Sequence, residues 1–290
     1  MKKLFSLLSL FTFTLITLQS CKEDELIIKS NGSTNGTSGG STGSNSGSNS
    51  SATKCFVKEI VETENSEKYK NTFTYNTKNL LTSLNQDGVI STYEYDANNR
   101  ITKLTMVDGV AVETFNYSYD AKGNMSSIKY SAKNTQIFIT ISEYILTTNA
   151  SGQVTQVTAI NKEDGNIDFI FEYDKNNLKK ILASADGKKE TILENLTFDT
   201  KPSVYSNAVL SKANIPFIII GLLFGENLTY YINANNILTD KVTGVFTGGA
   251  VTTTYKYEYT KENMPSKMTY LQVDGNEKYE GSATYLYDCK

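Results

Sequence analysis

Histidine and tryptophan are absent from the 290 residues, and there are only three cysteines and three prolines. Without an imidazole there is no Ser-His-Asp triad, no His-ligated zinc and no His-held haem. Neither sign of charge dominates: 28 Lys+Arg stand against 31 Asp+Glu, for a net charge of −3. A nucleic-acid backbone would find no basic footprint. No CxxC pair, EF-hand spacing or Gly-rich phosphate loop occurs, so no metal or cofactor is expected. Carboxylates are the acid–base groups easiest to nominate, with 31 of them in the chain. Asp96, Asp120 and Asp174 recur where turns begin, and capping of backbone N–H groups is their expected role. A retaining glycosidase needs two carboxyls about 5 Å apart, and no such pair is visible. A carboxylate-only hydrolase is therefore the least supported reading.

Long hydrophobic runs are also scarce. The first, Leu4 to Leu18, has 10 apolar residues in 15, behind Lys2 and Lys3. It is too short to span a bilayer as a helix and reads as the apolar part of a signal peptide. It ends in Leu18-Gln19-Ser20-Cys21, which resembles the lipobox of a bacterial lipoprotein signal. The resemblance implies cleavage before Cys21 and lipidation there, where several acyl chains give a stable anchor. A plain secretory signal cut elsewhere is the alternative. Lys22, Glu23, Asp24 and Glu25 follow, and this acidic run resembles the surface-export signal of Bacteroidetes lipoproteins. That implies an outer-membrane location on the cell surface, with a periplasm-facing anchor as the alternative. From Ser30 to Thr53 the chain is Ser, Gly, Asn and Thr apart from Ala52. Such a stretch buries nothing and acts as a tether, about 27 Å long on average. Removing Lys2 and Lys3 from a net charge of −3 leaves about −5, which suits solubility. The expected divisions are residues 1–20 as signal peptide, 21–54 as export signal and tether, and 55–290 as one domain.

That domain repeats one phrase about eight times: aromatic-x-aromatic, Asp or Asn, two residues, Asn or Gly, one residue, then an apolar residue. Phe73-Thr74-Tyr75-Asn76, Tyr93-Glu94-Tyr95-Asp96, Tyr117-Ser118-Tyr119-Asp120, Phe171-Glu172-Tyr173-Asp174 and Tyr257-Glu258-Tyr259-Thr260 open clear copies. Worn copies begin at Thr148 and Tyr230, and Tyr285-Leu286-Tyr287-Asp288 begins one more. Four residues after the second aromatic stand Asn79, Asn99, Gly123, Gly152, Asn177, Asn236 and Asn263. Only Gly and Asn enter the left-handed region cheaply, so a positive φ is expected at all seven. Between the phrases lie Asp87-Gly88, Asp108-Gly109, Asp164-Gly165, Asp186-Gly187 and Asp274-Gly275, with Lys133-Asn134 and Gly248-Gly249 as variants. Asp-Gly between alternating runs is a hairpin signal.

Within the runs the period is two: Phe115, Tyr117 and Tyr119 oppose Asn116 and Ser118, and Tyr255, Tyr257 and Tyr259 oppose Lys256 and Glu258. One face is aromatic and the other is wet. The reading is all-β, an antiparallel up-and-down meander of about 14–17 strands. It curls into a water-soluble, barrel-like sheet, because a flat one would expose two edges.

The phrases Tyr95–Arg100 and Tyr119–Asn124 resemble YD/Rhs-type repeats. The whole arrangement resembles an uncharacterised family of Bacteroidetes lipoproteins described as having a porin-like fold. The resemblance implies a fold and no activity. The cargo shell of large Rhs proteins does not carry over, since this chain has far too few repeats.

One segment breaks the pattern. Pro216 to Gly225 is a ten-residue apolar run that must be covered, either as a short helix plugging the curled sheet or as a buried central strand. Cys55 and Cys289 bracket the domain. If its first and last strands meet, they can form a disulfide worth about 4–5 kcal/mol by loop-closure entropy; two buried thiols are the alternative. Most of the 19 tyrosines belong to the periodic face and to the core. Tyr69, Tyr130, Tyr270 and Tyr279 fall outside the phrase and are candidates for a ligand surface, since tyrosine stacks and hydrogen-bonds on sugars. The leading functional expectation is a non-enzymatic cell-envelope lipoprotein that partners the membrane through Cys21 and binds a glycan or a protein. The alternative is a structural or protein-interaction module of the envelope without a small ligand.

Overall fold

A computed structural model describes residues 54–135, 140–163, 165–185, 187–205, 212–243 and 249–290. The signal, Cys21 and the tether lie outside the described residues, as do Asp164, Asp186 and Gly248 of the expected hairpins.

The alternating runs form sixteen strands: β1 (Cys55–Glu64), β2 (Glu67–Tyr75), β3 (Leu81–Gln86), β4 (Val89–Tyr95), β5 (Ile101–Asp108), β6 (Ala111–Tyr119), β7 (Met125–Lys133), β8 (Ile141–Thr148), β9 (Val154–Asn161), β10 (Ile167–Asp174), β11 (Asn177–Ala185), β12 (Lys188–Pro202), β13 (Asn235–Thr243), β14 (Ala250–Tyr259), β15 (Pro265–Asp274) and β16 (Glu277–Cys289). Each pairs antiparallel with its neighbours in sequence, and β1 pairs with β16 to close the barrel. Closure leaves no free edge. The seam runs in register from Cys55↔Cys289 to Glu64↔Gly281, with one bulge between Val57 and Glu59. Cys55 and Cys289 are joined there by a disulfide, their Cα atoms 4.0 Å apart.

The repeated phrase builds the turns at one end. Asp96 Oδ1 accepts from the N–H groups of Asn98 and Arg100, both at 2.9 Å, and Asp120 Oδ1 from those of Lys122 and Asn124 at 2.9 and 2.8 Å. Asn76 and Asn149 do the same in their copies. These bonds hold the Asp96 carboxyl below its usual range, the Arg100 N–H being the largest cause. The chain then reverses through positive φ at Asn79 (60°), Asn99 (60°), Gly123 (83°), Gly152 (77°) and Asn263 (61°). Tyrosines of the phrase lock consecutive repeats together: the hydroxyls of Tyr75, Tyr95 and Tyr119 donate to the carbonyls of Val57, Leu81 and Ile101 at 3.0, 2.7 and 2.7 Å.

Two of the seven expected positions differ. Asn177 opens β11 and pairs with Asp174, so the turn is shortened to Lys175-Asn176 and the positive φ falls on Lys175 (55°). Freed from the turn, Asn177 exchanges hydrogen bonds of 3.0 Å with the backbone and side chain of Asn235. Asn236 stands in extended β13, after an inserted segment and not after a repeat turn. Its backbone N–H and side-chain amide donate to Asp199 at 3.1 and 3.0 Å. Likewise Tyr230 lies in a 3-10 turn, Thr229–Tyr231, and not in a strand.

The inner wall is the apolar face. Phe73, Leu84, Tyr93, Leu104, Phe115, Tyr117, Phe169 and Phe171 all point inward and are buried. The outer wall carries cross-strand ion pairs, among them Lys70–Glu59, Lys103–Glu94, Lys180–Glu194 and Lys267–Glu258. A lysine at mid-strand on a lipid-facing wall would cost about 2–4 kcal/mol, and a carboxylate somewhat less. The outside therefore faces water.

A sixteen-stranded barrel is wide enough to leave a channel. Here the segment between β12 and β13 enters the lumen. Its apolar run is helix α1 (Ile215–Leu223), with Pro216 in the first turn, where a missing N–H is harmless. Gly225 at φ 87° ends it: the N–H of Glu226 bonds Gly221 O at 2.8 Å and that of Gly225 bonds Leu222 O at 3.2 Å. This is a Schellman motif, which needs a left-handed residue at that place. Eight of the nine residues of α1 are buried.

Candidate functional site

The helix sits against only part of the inner wall. Phe217 meets the ring of Phe115 edge-on at 5.2 Å, and Tyr117 donates its hydroxyl to Ala213 O at 3.1 Å. Across the lumen, a cavity of about 830 Å³ remains against β1–β3 and β13–β16. That volume lies within the range of small-molecule sites. Its mouth is ringed by Asn65, Glu67 and Asp87, residues of the tight hairpins. The disulfide, with the start of β1 and the finish of β16, lies at the opposite end, because β1 runs from Cys55 to the hairpin at Glu64. A chain entering at residue 54 therefore meets the barrel at the end away from the mouth.

Strand register builds the walls. Glu62 on β1 lies between Tyr69 on β2 and Ala283 on β16, and Ala283 is followed by Met268 on β15 and Tyr257 on β14. One layer nearer the mouth come Glu64, Gly281, Tyr270 and Tyr255. Gly281 has a packing reason: a methyl group there would overlap the Tyr270 ring. The inserted segment adds Tyr205, Tyr230 and Tyr231, whose rings contact one another at 4.6–5.7 Å between centroids.

Of the four tyrosines outside the repeat, Tyr69, Tyr270 and Tyr279 line the cavity, while Tyr130 packs on Phe115 at 5.0 Å and hydrogen-bonds Glu113 at 3.3 Å. Sequence reasoning assigned Tyr255, Tyr257 and Tyr285 to the core; they face the cavity as well. It also missed Glu62 and a buried amide network that fastens the insertion. In that network Asn195 donates to Leu178 O and Thr229 Oγ1 at 2.7 and 2.9 Å, and Asn227 donates to Asn195 Oδ1 and Asp240 Oδ2 at 2.8 and 2.7 Å. Alternation alone marks Glu62 as an inward residue of β1, in step with Ile60. The network carries no sequence signal, since its members come from four separate segments.

Two acids stand on the inner wall, Asp240 fully buried and Glu62 half-buried. Burial, with Glu64 adding repulsion, raises Glu62 to about 7; its Oε1 accepts from Asn71 at 3.2 Å. Burial raises Asp240 to about 6, against the hydrogen bonds from Asn227 and from the Tyr255 hydroxyl at 2.9 Å. Both lie above their unfolded values, so the folded chain holds protons that the unfolded chain releases. The stability they allow is fully present below about pH 4 and is lost as pH rises through 6 to 7. Unfolding free energy at pH 5 is expected to exceed that at pH 8 by roughly 3–4 kcal/mol. Urea titrations at the two pH values check this, and Asp240→Asn combined with Glu62→Gln should flatten the difference.

Fold and site define a closed, water-facing antiparallel barrel with a plugged lumen and an aromatic, acidic cavity. The RHS Repeat family matches residues 75–111, which contain the turn at Asp96–Asn99. A porin-like protein from Bacteroides uniformis is similar at 15% identity and a TM-score of 0.44, over 79% of this chain and 96% of that one. A second, from Bacteroides vulgatus, is similar at 10% identity and a TM-score of 0.48, over 81% and 99%. A chain of the Photorhabdus luminescens Tc holotoxin pore is similar at 14% identity and a TM-score of 0.33, over 76% of this chain and 13% of that one. No protein of curated function matches. The repeat resembles the RHS repeat and the barrel resembles the porin-like proteins, as the sequence phrases led us to expect.

Proposed function

We propose that this chain is a non-enzymatic protein of the cell envelope that takes a ligand into its half-filled barrel. The cavity carries the reading: the plug leaves about 830 Å³ of lumen lined by tyrosines and carboxylates, with its mouth opposite the end where the chain enters. Lipidation of Cys21, an outer-membrane anchor on the surface side and the tether of residues 30–53 would then present that mouth outward. Binding is favoured over hydrolysis because the carboxylates that recur along the chain are already occupied. The recurrent Asp96 and Asp120 are engaged in capping turns.

Calorimetric titration of the purified protein against panels of glycans and small metabolites tests the site. Saturable binding abolished by Ala283→Trp, which would fill the lumen beside Glu62, is the expected result. Absence of binding across both panels would remove this reading and leave the structural module. Incorporation of labelled fatty acid, lost in Cys21→Ser, tests the anchor.

A further inference from the structure

We propose that the cavity receives an organic cation, a molecule bearing a protonated amine or a quaternary ammonium, with Glu62 as its counter-charge and tyrosine rings as its walls. The proposal rests on the ligand-binding reading above and narrows its chemistry.

A carboxylate withdrawn from water is costly unless a cation or several donors compensate it. Glu62 receives Asn71, and no lysine or arginine forms an ion pair with it among the described residues. The groups that face it are Glu64 on its own strand, Tyr69 on β2, Tyr270 on β15, Tyr285 on β16, and Tyr205, Tyr230 and Tyr231 of the insertion. None of these is cationic. Among the described residues that line the cavity the only cation is Lys278, which is exposed on β16 near the mouth, where Glu64, Glu67 and Asp87 also stand. The neighbour of the acid on β16 is the small Ala283, while one layer nearer the mouth the Tyr270 ring lies over Gly281.

Rings alone would be ordinary core, and carboxylates alone an ordinary acidic rim. Together, enclosed and nearly free of positive charge, they match the way proteins hold ammonium groups: the ring faces attract the cation and a carboxylate neutralises it. A neutral ligand would leave Glu62 unpaired. A cation would ionise it, so binding should release a proton near neutral pH.

Calorimetry on the full-length protein in a non-ionic detergent tests this with spermidine and choline as cationic probes and maltohexaose as a neutral one. At pH 8 at least one cation is expected to bind. Glu62→Gln should weaken that binding tenfold or more. This variant swaps a half-buried acid for an amide of the same shape, and its circular dichroism should match the parent. Lowering the pH from 8 to 5.5 should cost the parent about tenfold or more in affinity and the variant far less, which a merely structural role for Glu62 would not produce. Glu64→Gln should weaken binding to a smaller degree. Failure of both cations to bind, or binding undiminished in Glu62→Gln, overturns the proposal. If maltohexaose then binds, the ligand-binding reading survives; if no probe binds in the wider panels either, both fall.

Discussion

Reducing the Cys55–Cys289 disulfide is expected to lower the unfolding free energy by about 2–5 kcal/mol and the melting temperature by roughly 5–15 °C. The bond spans a sequence separation of 234, nearly the whole domain. A cross-link over so long a loop removes a large part of the freedom of the unfolded chain, which is where most of its effect lies. The folded state should change little. Beside the bond, β1 and β16 are paired as far as Glu64 and Gly281, and Lys54 and Lys290 exchange backbone hydrogen bonds of 2.8 Å beyond it. The reduced protein should therefore keep its far-ultraviolet spectrum while unfolding at lower denaturant. It should also refold more slowly, because the seam joins the two most distant strands. Guanidinium titrations with and without reductant, and of Cys55→Ser with Cys289→Ser, provide the check. Coincident midpoints would show that the ladder alone closes the barrel.

The barrel was legible in the sequence because its turns use chemistry that few residues can supply. Asn99 and Gly123 declared left-handed backbone, and Asp96 and Asp120 declared what caps it. The period of two declared an inside and an outside. Asn177 and Asn236 misled for one reason: asparagine is equally suited to a left-handed turn and to bridging two backbones. At these two places the ends of β12 and β13, which flank the inserted segment, offered a backbone to bridge. The cavity was less legible. A tyrosine facing inward reads as core whether the lumen behind it is filled or open. Tyr117 meets the insertion at Ala213, whereas Tyr257 faces the space that the insertion leaves. That difference depends on where the described part of the segment between β12 and β13 lies inside a closed wall, which no local pattern encodes.

Replacing Ile218 by aspartate is expected to abolish the native barrel, whereas Ile218→Ala should cost about 2–5 kcal/mol. Ile218 is fully buried, as are Ile215, Ile219 and Leu222 of the same helix. These side chains pack with the inward residues of the wall in one hydrophobic core. The alanine variant loses three methyl(ene) groups from a site enclosed by the barrel, where hydrogen-bonded strands cannot close around a void. The aspartate places a carboxyl at a position with 0% exposure inside that core, so it must either unfold the plug or remain protonated at several kcal/mol. Expulsion of the plug is no escape. The inner wall it covers, including Phe115 at 1% exposure, would face a water-filled lumen, and the wall's own apolar residues would then favour collapse or aggregation. The helix is thus as much a part of the core as the strands are, and the barrel should unfold with it in a single transition. Two separated transitions in the Ile218→Ala protein, one for the insertion and one for the wall, would show instead that the wall stands without its plug. Ligand affinity should fall in either case when α1 is loosened, because Tyr205, Tyr230 and Tyr231 of the same insertion line the cavity.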